Sequence, residues 1–143
     1  MIELGMTVED VPFTVPSKPL AASRIALVST AGLHLEEQEP FDRATPSGDC
    51  SYRRIAADHD PSRLRIWWDA QGRLPASQDV NCAFPLALLR ELCDAGAVGS
   101  IAATHYSFSG AIPEPSPLLG RTGPALAREL KDGGVDAVLI APS

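Results

Sequence analysis

Ile25, Ala26, Leu27 and Val28 form an uninterrupted apolar run between Arg24 and Ser29. Four apolar residues without alternation suit a strand covered on both faces, as in a parallel sheet. The polar residues that follow, Ser29, Thr30, Gly32 and His34, then fall where open α/β sheets present their ligand loops.

Further along, Leu64, Ile66 and Trp68 alternate with Arg63, Arg65 and Trp67, a strand pattern closed by a turn over Asp69 to Gly72. From Pro85 the period changes. Leu86, Leu89 and Cys93 recur at three and four residues, predicting a helix of about three turns with Gly96 as its stop. Val98 to Thr104 reads as a short strand leading to His105. Gly110 to Leu119 carries Pro113, Pro115 and Pro117 and is expected to be irregular. Thr122 is placed to cap a helix with Pro124 in its first turn, Leu126 and Leu130 one turn apart, and Gly133-Gly134 at its end. Val135 to Ile140 then reads as a second buried strand.

Helix, glycine turn and apolar strand in that order complete a right-handed βαβ unit. The expected fold class is therefore α/β, a parallel sheet of Rossmann-like or flavodoxin-like type in a single domain over residues 24–143. Residues 1–23, with Pro12, Pro16 and Pro19, are expected to form an extended N-terminal arm, and residues 35–53 a long acidic loop. The last strand stops at Ala141-Pro142-Ser143, where such a sheet normally continues into a functional loop and a helix, so the domain is expected to be incomplete at its C-terminus.

The chain of 143 residues is 45% hydrophobic, enough for one core, and carries a net charge of -6 with a pI near 4.9. Without a basic stripe, nucleic acid and anionic membrane are disfavoured as partners. The absence of a long apolar run or a basic leader points to the cytoplasm. Three cysteines without C-x-x-C spacing argue against a disulfide framework and a zinc site.

Chemistry has few candidates. His34 and His105, each following a strand, could meet at one rim and serve in proton transfer or anion contact, or each could simply bond a backbone carbonyl. His59 sits among acids and is expected to be solvated. Asp79 and Asn81 could hold a polar ligand on one side of an extended segment, or could cap the backbone ahead of the helix. Gly48-Asp49 could form an anion-accepting turn or a plain one. Cys50 has the most polar surroundings of the thiols, whereas Cys82 and Cys93 are expected to be buried. No phosphate-loop, dinucleotide, nucleophile-elbow or metalloprotease motif occurs, and no cofactor is identified.

In order along the chain, RIALVSTAGLH, PFD, SGDCSYRRI, QDVNCAFPLALLRELCDAGAVGSIAATHYSFSG and LARELKDGGVDAVLIAPS resemble the selenoprotein B family of the glycine, sarcosine, betaine and D-proline reductases. The resemblance spans about residues 17 to 143 and is closest to the short members similar to the D-proline reductase subunit. It departs from the family pattern at RIWWDAQGRLP, where the family has a histidine-containing segment. The resemblance implies reductive cleavage of a carbon-nitrogen bond alpha to a carboxyl group, with electrons from a dithiol. It further implies a selenocysteine or cysteine nucleophile just after the strand matching VDAVLIAPS, that is, just past Ser143, as if the chain were truncated at a selenocysteine codon.

Two functions follow as expectations. The first is an oxidoreductase subunit whose substrate-binding residues are His34, Asp79, Asn81 and His105, acting on a small amino-acid-like substrate with a partner reductase subunit or as a homo-oligomer. The alternative is a non-catalytic α/β small-molecule-binding or partner subunit.

Overall fold

The computed structural model describes residues 14–42, 44–66 and 78–142. Strand β1 (Arg24–Ser29) is the centre of a five-stranded sheet, and its burial rises from an exposed Arg24 to five buried residues. On one side it pairs in parallel with β7 (Ala137–Ala141), in the register Leu27 to Leu139. On the other side its first half pairs in parallel with β5 (Ser100–Ile101) and its second half with β6 (Thr104–Phe108). Strand β3 (Tyr52–Ala56) lies outside β6 and runs antiparallel to it. The fold is thus α/β with a mostly parallel sheet, as the apolar runs predict.

Two helices cover the two faces. On α1 (Leu86–Asp94), Leu86 and Leu89 pack with Ile25, Leu27, Ile55 and Phe84. On α2 (Gly123–Asp132), Leu126 packs with Val28, Tyr106 and Phe108. Because side chains alternate along a strand, the odd residues of β1 feed the first core and Val28 the second. Gly96 (φ 72°) and Gly134 (φ 66°) end the two helices in the left-handed region that glycine adopts at least cost. An ionic clamp also holds α2 to the sheet: Tyr52 donates its hydroxyl to Glu129 at 2.6 Å and Arg54 grips the same carboxylate with two donors. The Arg54 hydrogen bonds hold the Glu129 carboxyl down at about 2.

Several expectations are corrected. The loop assigned to residues 35–53 ends earlier, because Tyr52–Ala56 forms β3; only Ile55 on it is fully buried, so its sequence carries little apolar signal. The strand expected over Val98–Thr104 is instead broken. Ala26 and Leu27 of β1 stand against Ala102 through His105, a bulge that splits the neighbour into β5 and β6 and places His105 inside β6. Helical structure begins at Ser116, inside the proline-rich segment, since a first turn does not need the N–H that Pro117 lacks. Thr122 does not cap α2. It closes a wider turn (Leu118–Thr122) with helical dihedrals, and its hydroxyl is buried without a partner. The last strand forms, but its central residues Val138, Leu139 and Ile140 are exposed where burial was expected.

A short second sheet pairs β2 (Leu33–Leu35) antiparallel with β4 (Leu64–Ile66). The strand expected in RLRIWW is therefore present over its first part, while Trp67, Trp68 and the Asp69–Gly72 turn lie outside the described residues. Of the N-terminal arm, residues 14–23 are described; its end forms a single tight turn, Leu20–Ala22, whose Leu20 carbonyl accepts from the Gly99 amide at 3.1 Å.

Candidate functional site at the carboxyl rim of the sheet

The carboxyl ends of β1, β6 and β7 meet in a network of backbone and hydroxyl hydrogen bonds. Where β1 ends, the Ser29 hydroxyl accepts from the Ala31 amide at 3.1 Å and the chain turns at Gly32 (φ 65°). The Thr30 amide donates to the Ala141 carbonyl at 3.1 Å, and that of Gly32 to the Phe108 carbonyl at 2.8 Å. The Leu33 amide donates to the Ser107 hydroxyl at 2.8 Å. Ser29 and Ser107 are wholly buried. Buried hydroxyls are tolerated here because each has a backbone partner.

The acidic loop folds over this rim. Ser109 donates its hydroxyl to the Asp49 carbonyl at 2.9 Å, and the Asp49 carboxylate accepts from the Ser51 amide, the Ser51 hydroxyl and the Asp42 amide. Burial works against the Asp49 charge, but these hydrogen bonds and Arg53 outweigh it and hold its carboxyl below the usual value. Arg53 lies 4.2 Å above the Phe41 ring and donates to the Glu39 and Pro40 carbonyls. Cys50, expected to be the reactive thiol, is buried with its Sγ 3.7 Å from the Glu114 carbonyl. Cys82 is exposed and Cys93 half-buried, both more open than expected.

Gly48 makes the loop possible. At φ +84° it takes a left-handed conformation, and an added Cβ would lie 2.7 Å from the Ala111 carbonyl oxygen and 2.8 Å from the Ile112 Cα. Gly48→Ala is expected to lower the unfolding free energy by about 2 kcal/mol or more, since left-handed strain of about 1–2 kcal/mol is joined by a backbone clash. A urea midpoint checks this; an unchanged midpoint would show that the loop is free to shift.

The sequence-derived candidates separate. His34, on β2 opposite Arg65, belongs to this rim: it follows the Gly32 turn and keeps a long contact of 3.4 Å to the Gly32 carbonyl. Burial lowers its pKa, the Gly32 carbonyl opposes that, and Arg53 and Arg65 add to the lowering, so the ring is neutral at pH 7. His105 is not at the rim. It lies inside β6 with no exposed surface, and its Nδ1 accepts the Leu27 amide at 3.0 Å, replacing a ladder bond lost in the bulge. That bond assigns the proton of the neutral ring to Nε2, which is buried without a partner. Burial, followed by the charges of Arg90 and His59, lowers its pKa to about 4.

Asp79 accepts from both the amide and the side-chain nitrogen of Asn81, each at 2.9 Å, and so caps the short turn Val80–Cys82 ahead of α1. This is the geometry of the capping alternative, while the Asn81 Oδ1 is buried without a partner. His59 is exposed and bonds the Ala56 carbonyl at 2.7 Å.

A cleft of about 580 Å³ opens at the opposite end of the sheet, lined by Arg24, Arg54, Thr104 and Glu129 among others. Its charged groups are largely spent on the protein: Arg54 on Glu129, and Arg24 on the Gly133 carbonyl. The rim, where loops meet strand ends, is the stronger candidate. Among the described residues no group of three or more His, Cys, Asp or Glu gathers to hold a metal ion. No helix among them is long and apolar enough to cross a membrane.

Over 136 residues, 91% of its length, the chain is 32% identical to the D-proline reductase subunit gamma of Acetoanaerobium sticklandii. The chain is similar to that reductase subunit. It spans about half of it, 55% of the relative's length. No family model matches the sequence, and no solved structure matches the chain. The match agrees with the family resemblance carried by the chain's landmark segments.

Reasoning from sequence missed the buried hydroxyls of Ser107 and Ser109. Their spacing of two was visible, but in an alternating strand it reads as a solvent-facing side. In the fold the Leu33 amide of β2 bonds Ser107 and the Asp49 carbonyl of the acidic loop accepts from Ser109, which makes that side an interior one.

Proposed function

We propose that this chain is a subunit of a D-proline reductase-type oxidoreductase, working with a partner subunit, and that its carboxyl rim cradles a small amino-acid-like substrate. In this reading a carbon-nitrogen bond alpha to the carboxyl group breaks. A dithiol supplies two electrons and two protons and becomes a disulfide. The nucleophile is a selenocysteine or cysteine placed directly after β7, past Ser143. The observation that carries the reading is the hydrogen bond from the Thr30 amide to the Ala141 carbonyl. It ties the end of β7 to the turn that leads into His34, so a group following β7 starts at the rim. His34, neutral at pH 7, is the group there suited to donate or accept a proton.

The test is dithiol-driven cleavage of D-proline, with glycine, sarcosine and betaine as comparisons, by the subunit assembled with its partner. His34→Gln is expected to lower kcat about a hundredfold, the lower range for loss of a general acid or base, with an unchanged circular dichroism spectrum. Full turnover in that variant removes His34 from the mechanism, and no turnover of any of the four substrates by the assembled wild type removes the reading itself.

The described thiols favour a second reading, a non-catalytic binding or partner subunit. Cys50 is buried against a carbonyl and Cys82 lies exposed. Alkylation near neutral pH separates the two. One fast-reacting group supports catalysis, whereas uniformly slow thiols support the binding role.

A further inference from the structure

The cleft at the amino end of the sheet holds charges that the fold leaves unmatched. It lies on the α2 side, where the last turn of that helix stands over the bulge. By register Tyr106 stands between Val28 of β1 and Arg54 of β3, on the face that α2 covers. Next to them the side chains shrink to Ala57, Ala102 and Ala103, and a space of about 580 Å³ remains between these and the turn from Glu129 to Gly133. That volume is typical of sites for small molecules.

The charges sort into two groups. Glu129 is matched within the fold, since Arg54 and Tyr52 both bond it. Asp132 is not. It is the last residue of α2, where the negative end of the helix dipole disfavours a carboxylate. Among the described residues it makes no ion pair and no hydrogen bond. A charge kept against local preference and without a partner points to a role outside folding. The Arg24 guanidinium stands beside it, since its Nη1 donates at 2.9 Å to the carbonyl of Gly133, the next residue. Its Nε and Nη2 carry no hydrogen bond among the described residues, and neither does Nη1 of Arg54. Asp136, beyond the same turn, is taken by Lys18 and the Arg24 amide. The cleft therefore offers one free carboxylate and two guanidinium edges. An anion alone would meet Asp132, and a cation alone would meet Arg24. A molecule carrying both charges satisfies both.

We propose that this cleft binds a small zwitterion of the amino-acid class, its ammonium group at Asp132 and the carbonyl end of α2, its carboxylate at Arg24 and the open edge of Arg54. The site lies at the opposite end of the sheet from the carboxyl rim and does not depend on the reductase reading.

Amide resonances of the whole protein test this, titrated with alanine and 4-aminobutanoate as zwitterions and with butanoate and butylammonium as single-charge controls. At about 10 mM, enough to fill most of a millimolar site, at least one zwitterion is expected to shift the amides of Ala103, Thr104 and Gly133, and both controls to bind far more weakly. Asp132→Asn is expected to weaken that zwitterion about tenfold or more, as loss of a charged hydrogen bond does. The variant should be as stable as the parent or slightly more so, because it removes a negative charge from the wrong end of the helix. Equal affinity in the variant, equal binding of a control, or no shift at the three amides with either zwitterion overturns the proposal. Shifts confined to Gly32 and His34 also overturn it and place the ligand at the rim, so failure here is distinct from failure of the reductase reading.

Discussion

Lowering the pH from 7 to 4 is expected to remove about 3 kcal/mol of stability through His105 alone. The ring is neutral in the fold with a pKa of about 4, against 6.5 in the unfolded chain. Between those values the unfolded state takes up a proton that the native state does not. Stability is therefore complete above about pH 6.5 and falls until about pH 4, below which this residue has no further effect; each unit of pKa difference is worth about 1.4 kcal/mol. Structurally, protonating Nδ1 removes the acceptor of the Leu27 amide and strands an N–H inside the bulge. Burial and the charge of Arg90, which donates to the Ala57 carbonyl nearby, both oppose the cation.

Urea unfolding at pH 7, 5.5 and 4 measures the effect, and His105→Asn isolates it. Asparagine offers a carbonyl oxygen to Leu27 in place of Nδ1 and does not titrate, so its stability should be lower at pH 7 but nearly flat over this interval, apart from a smaller contribution of the same sign from His34. The Glu129 clamp is lost as the pH falls from about 4.5 toward 2, and so overlaps the His105 effect only at the acid end of this interval. An equally steep fall in the Asn variant would assign the acid sensitivity elsewhere.

The position of His105 also marks the limit of what the residue pattern discloses. The parallel core was legible because its signals are local and redundant: Ile25 to Val28 as a continuous run, Leu86 and Leu89 at helical spacing, glycines where α1 and α2 end. The bulge was not. SIAATHYSF contains no glycine or proline at the break, and the strand resumes because an imidazole from β6 can satisfy Leu27, a tertiary event that periodicity does not encode. Strand β3 was hidden for a similar reason: an edge strand needs few apolar residues, and YRRIA buries only Ile55 fully. At the site, the Ser29-to-His34 turn was readable as a loop after a buried strand. Its covering by Asp49, Arg53 and Ser109 depends on contacts across many residues, and the pairing of His34 with His105 failed because the extra residues of the bulge draw His105 into the strand.

Phe84→Ala is the substitution expected to cost most, about 3–5 kcal/mol, as for other buried aromatic truncations. Phe84 is 2% exposed and belongs to the core beneath α1. It packs edge-on against His105 with ring centroids 5.9 Å apart, and its centroid is 6.1 Å from that of His59. Removing the ring deletes the apolar contact that seats the start of α1 and opens a cavity beside the ring of His105, whose Nε2 is unpartnered. A polar wall makes that cavity one that water can enter. A water beside Nε2 would reduce the desolvation that depresses the His105 pKa, so the folded value should rise toward 6.5 and the acid-linked loss should shrink. The two effects are therefore coupled: Phe84→Ala is expected to lower stability strongly at pH 7 yet to flatten its decline toward pH 4, whereas Phe84→Leu, which leaves less room for water, should cost less and keep the steep decline. Unfolding free energies of the three proteins at pH 7 and 4 decide it, and a parallel downward displacement of the whole Phe84→Ala curve would show that Phe84 fills space without keeping His105 dry.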